Sequence, residues 1–257
     1  MEDKRLLDSY AADYARLRDV AARDLAAAVP TCPGWTVADL VRHVALVYLH
    51  KAETIRLGQW PEPWPPAGID DEEPIALLTR AHDELKAQFA AHKPTDPALT
   101  WHPPEQTVRF WMRRMAQETV IHRIDAELAA GEPVVPIPDD LAVDGIDELL
   151  RIFLAYDDDT WAEEAAPILA KSPGHRVAVR VPGAEWMIET SPTSLAVTTA
   201  FGAAIGRLDE THVDAAITGP APAVLRRLWN RGGEPVTESG DQAALTEVRE
   251  VLTAATQ

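Results

Sequence analysis

With a single cysteine, Cys32, in 257 residues, the chain has no internal disulfide and no metal site built from several thiolates. Also missing is any uninterrupted apolar run of the ~18 residues that a membrane-crossing helix needs. The N-terminus, Met1-Glu-Asp-Lys-Arg-Leu-Leu-Asp8, lacks the apolar core of a secretory signal. Basic residues are scarce, 24 Lys and Arg against 41 Asp and Glu, for a net charge of −17. Nucleic acid and anionic membrane both need a basic face, so neither is expected as a partner. With 46% of residues apolar or aromatic and 25% charged, the composition is that of a globular protein, long enough for one domain or two. The expectation is a soluble, cytoplasmic protein, a monomer or weak homodimer, that acts on small molecules.

The first half reads as four helices. Leu6, Tyr10, Leu17 and Ala21 repeat at helical spacing between about Asp3 and Ala27, a stretch without Gly or Pro. After Val29-Pro-Thr-Cys-Pro-Gly-Trp35 a second helix starts, with Thr36 as N-cap, Asp39 at the acidic capping-box position and a staple between Trp35 and Leu40. It is expected to reach about Leu57. A Pro-rich loop carrying Trp60 and Trp64 precedes a third helix, about Pro74–Ala91, with Leu78, Ala81, Leu85 and Phe89 inward. The fourth runs from about Glu105 to Ala130 and stops at Gly131. Four such helices with moderate loops point to a bundle.

After Gly131-Glu-Pro-Val-Val-Pro-Ile-Pro138 the helical period lapses, which marks a linker. One more helix, about Asp139–Ala155, is followed by alternating runs at Arg176–Val181, Glu185–Glu189 and Leu195–Thr199, with a further strand at His212–Thr218. Helices at about Ala221–Asn230 and Asp241–Thr253 close the chain. The fold class expected is α+β: a helical bundle over residues 1–132, then a smaller domain over 139–257 with a short, mainly antiparallel sheet.

The chemistry is expected on the fourth helix. Val108, Trp111, Met115, Glu118, His122, Ala126 and Ala129 step along one face, and Glu118 and His122 are the two members that are neither apolar nor small. A buried carboxylate demands a hydrogen-bond donor, a proton or a cation. Either the pair is a structural ion pair, or it holds a metal together with a third group. His43, in the inward row Thr36, Leu40, His43, Val47 of the second helix, is the best third ligand.

The pattern Val29-Pro-Thr-Cys-Pro-Gly-Trp-Thr-Val-Ala-Asp-Leu-Val-Arg-His43, with Glu118-x-x-x-His122-Arg-x-Asp125-Ala, resembles the mycothiol-dependent maleylpyruvate isomerase family. So does Ile217-Thr-Gly-Pro-Ala-Pro-Ala-Val-Leu-Arg-Arg-Leu-Trp-Asn-Arg231, although Asn230 stands where the family often has glycine. The resemblance implies a DinB-like four-helix domain, a metal triad of His43, Glu118 and His122, a site role for Arg231, and mycothiol as thiol cosubstrate. The metal is expected to be divalent, zinc first, though iron, nickel or cobalt would accept the same ligands. The activity implied is isomerisation of a small electrophile or S-transfer to it. The alternatives are a metal-dependent hydrolase and a non-catalytic binding protein that keeps the fold.

Several residues carry two readings. Asp125 either orients His122 from behind or pairs at the bundle edge with Arg123 or Arg114. Cys32 is either a reactive thiol near a helix start or a small packing residue. Trp60, Trp64 and Trp101 either line a pocket mouth or cover ordinary core. Arg226, Arg227 and Arg231 either hold an anionic substrate or form a solvated helix face. The acidic run Asp157–Thr160 reads as a helix-end surface patch.

Overall fold

Capping residues mark where two helices of the first unit begin. In the computed structural model, which describes residues 1–155, 165–202, 212–233 and 235–256, this unit spans Met1–Val135 and the second Pro136–Gln257. The first contains α1 (Asp3–Ala21), α2 (Val37–Leu57), α3 (Pro74–Ala91) and α4 (Val108–Ala129). At the start of α2 the Thr36 hydroxyl accepts from the Asp39 amide and the Asp39 carboxylate accepts from the Thr36 amide, the reciprocal pair expected from the sequence. The helix ends at Gly58, whose φ of +67° suits a residue without Cβ. Glu73 caps α3 by accepting from the amides of Ile75 and Ala76, with Pro74 opening the helix.

Two helices are shorter than their periodicity implies. α1 stops at Ala21 rather than Ala27, because the carbonyls of Leu25 and Ala27 accept from the Ala38 and Val37 amides. Those amides open α2 and have no partner within their own helix, so the segment after α1 is used to satisfy them. α4 begins at Val108 rather than Glu105, since the Gln106 amide donates back to the Thr100 and His102 carbonyls.

Ion pairs give the helix directions. Asp3–Arg109, Asp13–Arg123 and Arg16–Glu127 advance together along both chains, so α1 and α4 lie side by side and parallel. The α2–α4 contacts, His43 with Glu118 and Lys51 with Trp111, advance in opposite senses, so that pair is antiparallel. α4 is the central helix. It buries Arg113, Arg114, Gln117, Arg123, Asp125 and Glu127 along with its apolar residues, which corrects the reading of a single inward stripe. Arg123 and Glu127, with side chains 1% and 0% exposed, are paired at 2.7 Å. Glu127 also accepts from Arg16 and from the Val135 amide, while Arg123 reaches Asp13 and the Val135 carbonyl. This network ties α1, α4 and the end of the unit together.

In the second unit, α5 (Asp139–Glu148) passes into a π-helical segment, Leu149–Leu154, where a continuous α-helix was expected. The strands are β1 (Arg176–Val181), β2 (Ala184–Ser191), β3 (Ser194–Phe201), β4 (Ala215–Thr218) and β5 (Thr237–Gly240), with α6 (Ala221–Leu228) and α7 (Gln242–Ala255). Among the described residues they form one sheet ordered β3-β2-β1-β4-β5. Only β1 and β4 pair in parallel; the other neighbours are antiparallel. The expected strand from His212 starts later, at Ala215, because the Asp214 carboxylate accepts from the Arg176 amide at 2.7 Å. β5, Thr-Glu-Ser-Gly, is an edge strand whose residues have no apolar alternation to announce it. Behind the sheet, Glu247 of α7 accepts from the Ser172 hydroxyl and pairs with His175. The run Asp157–Thr160 lies outside the described residues.

Removing one member of the buried network strands the charges that remain. Glu127→Ala is expected to cost roughly 3–5 kcal/mol in urea unfolding, and a loss under about 1 kcal/mol would mean the network behaves like a surface pair.

Candidate metal centre

The α2–α4 contact places three ligand-type side chains around one point. Glu118 Oε1 lies 3.2 Å from His43 Nε2 and 3.1 Å from His122 Nε2. All three donor atoms fall within 4.8 Å of one another. Metal–ligand bonds of about 2.0–2.1 Å at tetrahedral angles put donors about 3.4 Å apart, so the donor set and its spacing fit a small divalent cation. The set is open on one side: side-chain exposure is 39% at His43 but 12% at Glu118 and 11% at His122.

His43 is exposed because it borders the buried face of α2. That face runs through Val37, Leu40, Val41, Val44, Ala45, Tyr48 and Ala52, so the inward row expected from the sequence is rotated by about one position. The rotation keeps one ligand in contact with solvent. The Trp35 ring packs on the His43 ring at 5.1 Å between centroids, tilted by 53°.

The surrounding groups fix the ligands. Asp125, fully buried, accepts from His122 Nδ1 at 2.9 Å. That bond puts a proton on Nδ1 and turns Nε2 toward Glu118 and His43. Of the two readings for Asp125, this is the geometry found, since Arg123 turns to Asp13 and Glu127, and Arg114 to Glu118. Asp125 is itself held by the Thr31 hydroxyl at 2.5 Å, and Cys32 Sγ lies 3.9 Å from its other oxygen. The cysteine therefore belongs to the shell behind His122. Arg114 donates to Glu118 Oε2, leaving Oε1 as the oxygen that faces both imidazoles. Thr31 and Trp35 were invisible as site residues in the sequence, because each reaches the centre from the loop before α2. Arg114 was visible, one turn before Glu118.

Charge sets the protonation of the cluster. Burial disfavours both charged forms. For Glu118, His122 and Arg114 outweigh that cost and hold the carboxyl well below its ordinary range. For His122, the carboxylates of Glu118 and Asp125 outweigh it and raise the imidazole to about 9. A proton on His122 thus occupies the electrostatic role that a cation would take.

The remaining arginine candidates belong to the second unit. Asn230 adopts φ +55°, the left-handed conformation that glycine favours and asparagine tolerates. Arg231, just after it, packs its guanidinium over the Trp229 ring and donates to the Trp229 carbonyl at 2.7 Å. Arg227 pairs with Glu238 at 2.6 Å, which accounts for it structurally. In the first unit Trp101 packs on Phe110, while Trp60 and Trp64 both meet His50.

Comparison with known proteins gives the following. Residues 7–127 match the family model of the mycothiol maleylpyruvate isomerase N-terminal domain. The fold is similar to the crystal structure of a mycothiol-dependent maleylpyruvate isomerase, with a TM-score of 0.61 and 15% identity over 94% of this chain and 95% of that one. A histidine-to-alanine mutant of such an enzyme matches at a TM-score of 0.59 and 14% identity, over the same shares of the two chains. No curated protein sequence matches.

His122 is more basic folded than unfolded, so its contribution to stability is complete below about pH 6.5 and is lost as pH rises through about 9. In metal-free protein, the stability advantage over His122→Gln is expected to shrink across that window, and the His122 ring protons to titrate near its upper end. An imidazole titrating at or below 6.5 in the NMR spectrum would contradict the ion-pair arrangement.

Proposed function

With residues 7–127 matching the mycothiol maleylpyruvate isomerase N-terminal domain, we propose that this chain is an enzyme of that type, in which a metal held by His43, Glu118 and His122 activates mycothiol for reaction with a small electrophile. The observation that carries the proposal is the convergence of three donors with one open, solvent-facing side. Zinc is the metal we favour for two imidazoles and one carboxylate, the ligand set of many catalytic zinc sites. When bound, such a cation supplies a Lewis acid that lets a coordinated thiol ionise near neutral pH.

The chain's residues have separable tasks in this scheme. Glu118 brings the negative charge that retains a dication, and Arg114 keeps its Oε2 turned away so that Oε1 serves as ligand. Asp125 fixes the His122 tautomer. His43, half-exposed, forms the wall beside which an incoming thiol arrives. The thiol has to come from solution, because the chain's one cysteine is turned onto Asp125. Arg231 is proposed, through the resemblance, as a guanidinium for a carboxylate of the substrate. An activated thiolate can add to an electron-poor double bond and leave after rotation, or stay attached, so isomerase and S-transferase outcomes share one site.

Calorimetric titration with zinc and thermal shift with mycothiol test this. Wild-type protein is expected to bind zinc, His43→Ala and His122→Ala to lose that binding, and Asp125→Asn to weaken it about 10–100-fold. Mycothiol is expected to raise Tm only in the zinc-loaded protein. Zinc binding with no effect of the thiol would favour the hydrolase reading, and no zinc binding at all would remove the proposal's basis.

A further inference from the structure

A second cluster lies along the same α2–α4 contact. His50 follows His43 by seven residues on α2, and Trp111 precedes Glu118 by seven on α4. Seven residues are two helical turns, about 10 Å, and because the helices are antiparallel both displacements run the same way. Beside them sits Lys51. Its ammonium lies over the Trp111 ring at 4.8 Å and over the Trp60 ring at 5.8 Å. It also donates to His50 Nδ1 at 3.1 Å. The His50 ring in turn packs on Trp60 and Trp64 from the loop after α2.

This ammonium has an unusual environment. Among the described residues no carboxylate forms an ion pair with Lys51, in a chain with a large excess of acidic groups. Its neighbours are ring faces and an imidazole that burial and Lys51 itself keep neutral, with a pKa of about 4. The facing charges are Arg114 and Glu118 of α4. Glu118 is already engaged by Arg114, His43 and His122, so it does not serve as the counter-ion. Ring faces stabilise a cation by only about 0.5–2 kcal/mol, which does not replace a paired anion in a half-buried site. Burial, with Arg114 adding to it and Glu118 opposing, holds the lysine at about 8.

The geometry points to Lys51 and its indole walls as the subsite that holds a carboxylate of the reactant, with flat, conjugated carboxylates as the preferred ligand class. This rests on the reading of His43, Glu118 and His122 as the reacting end. Trp111, fully buried, backs the ammonium from the core, so a ligand with its carboxylate on Lys51 and its plane against the partly exposed Trp60 would extend toward the metal donors along the helix seam. The carboxylate supplies the counter-charge that is absent among the described residues, and the Trp60 indole selects for a planar body. Lys51 is then a residue of substrate specificity, independent of metal binding.

Calorimetry with sorbate, a flat conjugated monocarboxylate, and with its neutral amide tests the subsite in metal-free and in zinc-loaded protein. Wild-type protein is expected to bind sorbate at least tenfold more tightly than the amide in both forms. Lys51→Met is expected to abolish that preference and Lys51→Arg to keep it, while zinc affinity stays within threefold in both variants. Should Lys51→Met fail to fold by circular dichroism, Lys51→Gln is read in its place. Equal binding of acid and amide by the wild type, or a preference that survives in Lys51→Met, overturns the inference. Because metal-free protein is measured as well, loss of the thiol and metal reading would leave a positive carboxylate result standing. Conversely, a working thiol enzyme with an unchanged Lys51→Met variant would sink the subsite alone.

Discussion

The centre of this structure depends on one carboxylate, Glu118, held at the inner edge of the most buried helix. Left alone in such a place it would cost several kcal/mol. Three positive or protonatable groups meet it there, Arg114 from its own helix, His122 one turn on, and His43 from α2. The position of α2 follows from that contact, and α2 brings the capping loop with Thr31, Cys32 and Trp35. The same arrangement that neutralises Glu118 also defines three donors around a point. Stability and ligand capacity therefore come from one set of interactions, which compete for the same lone pairs.

Much of the helical framework was legible from residues. Thr36 and Asp39, Pro74, Gly58 and Gly131 mark helix ends by rules that depend on local backbone chemistry, and these ends fall at or within a residue of the expected places. The ends set by tertiary bonds were not legible. Nothing local in Ala22–Ala28 says that its carbonyls will serve the first amides of α2, and nothing in Thr100–Gln106 announces its side-chain ladder. In the second unit, β5 is held by backbone pairing with β4, so its side chains left no pattern to read.

The candidate site was legible in a different way. His43, Glu118 and His122 stood out because polar residues interrupted apolar periodicity, and the structure does bring their donor atoms together. The picture behind that inference was too simple. α4 has no single inward stripe, being buried on nearly every side, and His43 sits at the edge of the α2 core face. Asp125 was readable from its spacing to His122, and Trp60 and Trp64 as loop tryptophans that line a pocket mouth or cover core, whereas Lys51 was not singled out and its meeting with them was not readable. Their meeting depends on the path of the loop after α2, which composition alone does not give.

The parallel pairing of α1 with α4 has a consequence for how the unit comes together. Asp13 and Arg123 are 110 residues apart, Arg16 and Glu127 111 apart, and His43 and Glu118 75 apart. Contacts of this span form late in folding, since the intervening chain must first be closed into a large loop. During synthesis α1 can meet α2 and α3 through Tyr10 and Tyr14, but its ion pairs with α4 must wait until α4 has left the ribosome. The helix that completes the core also carries two of the three donors, so the donor set of His43, Glu118 and His122 exists only once chain segments 75 residues apart have met.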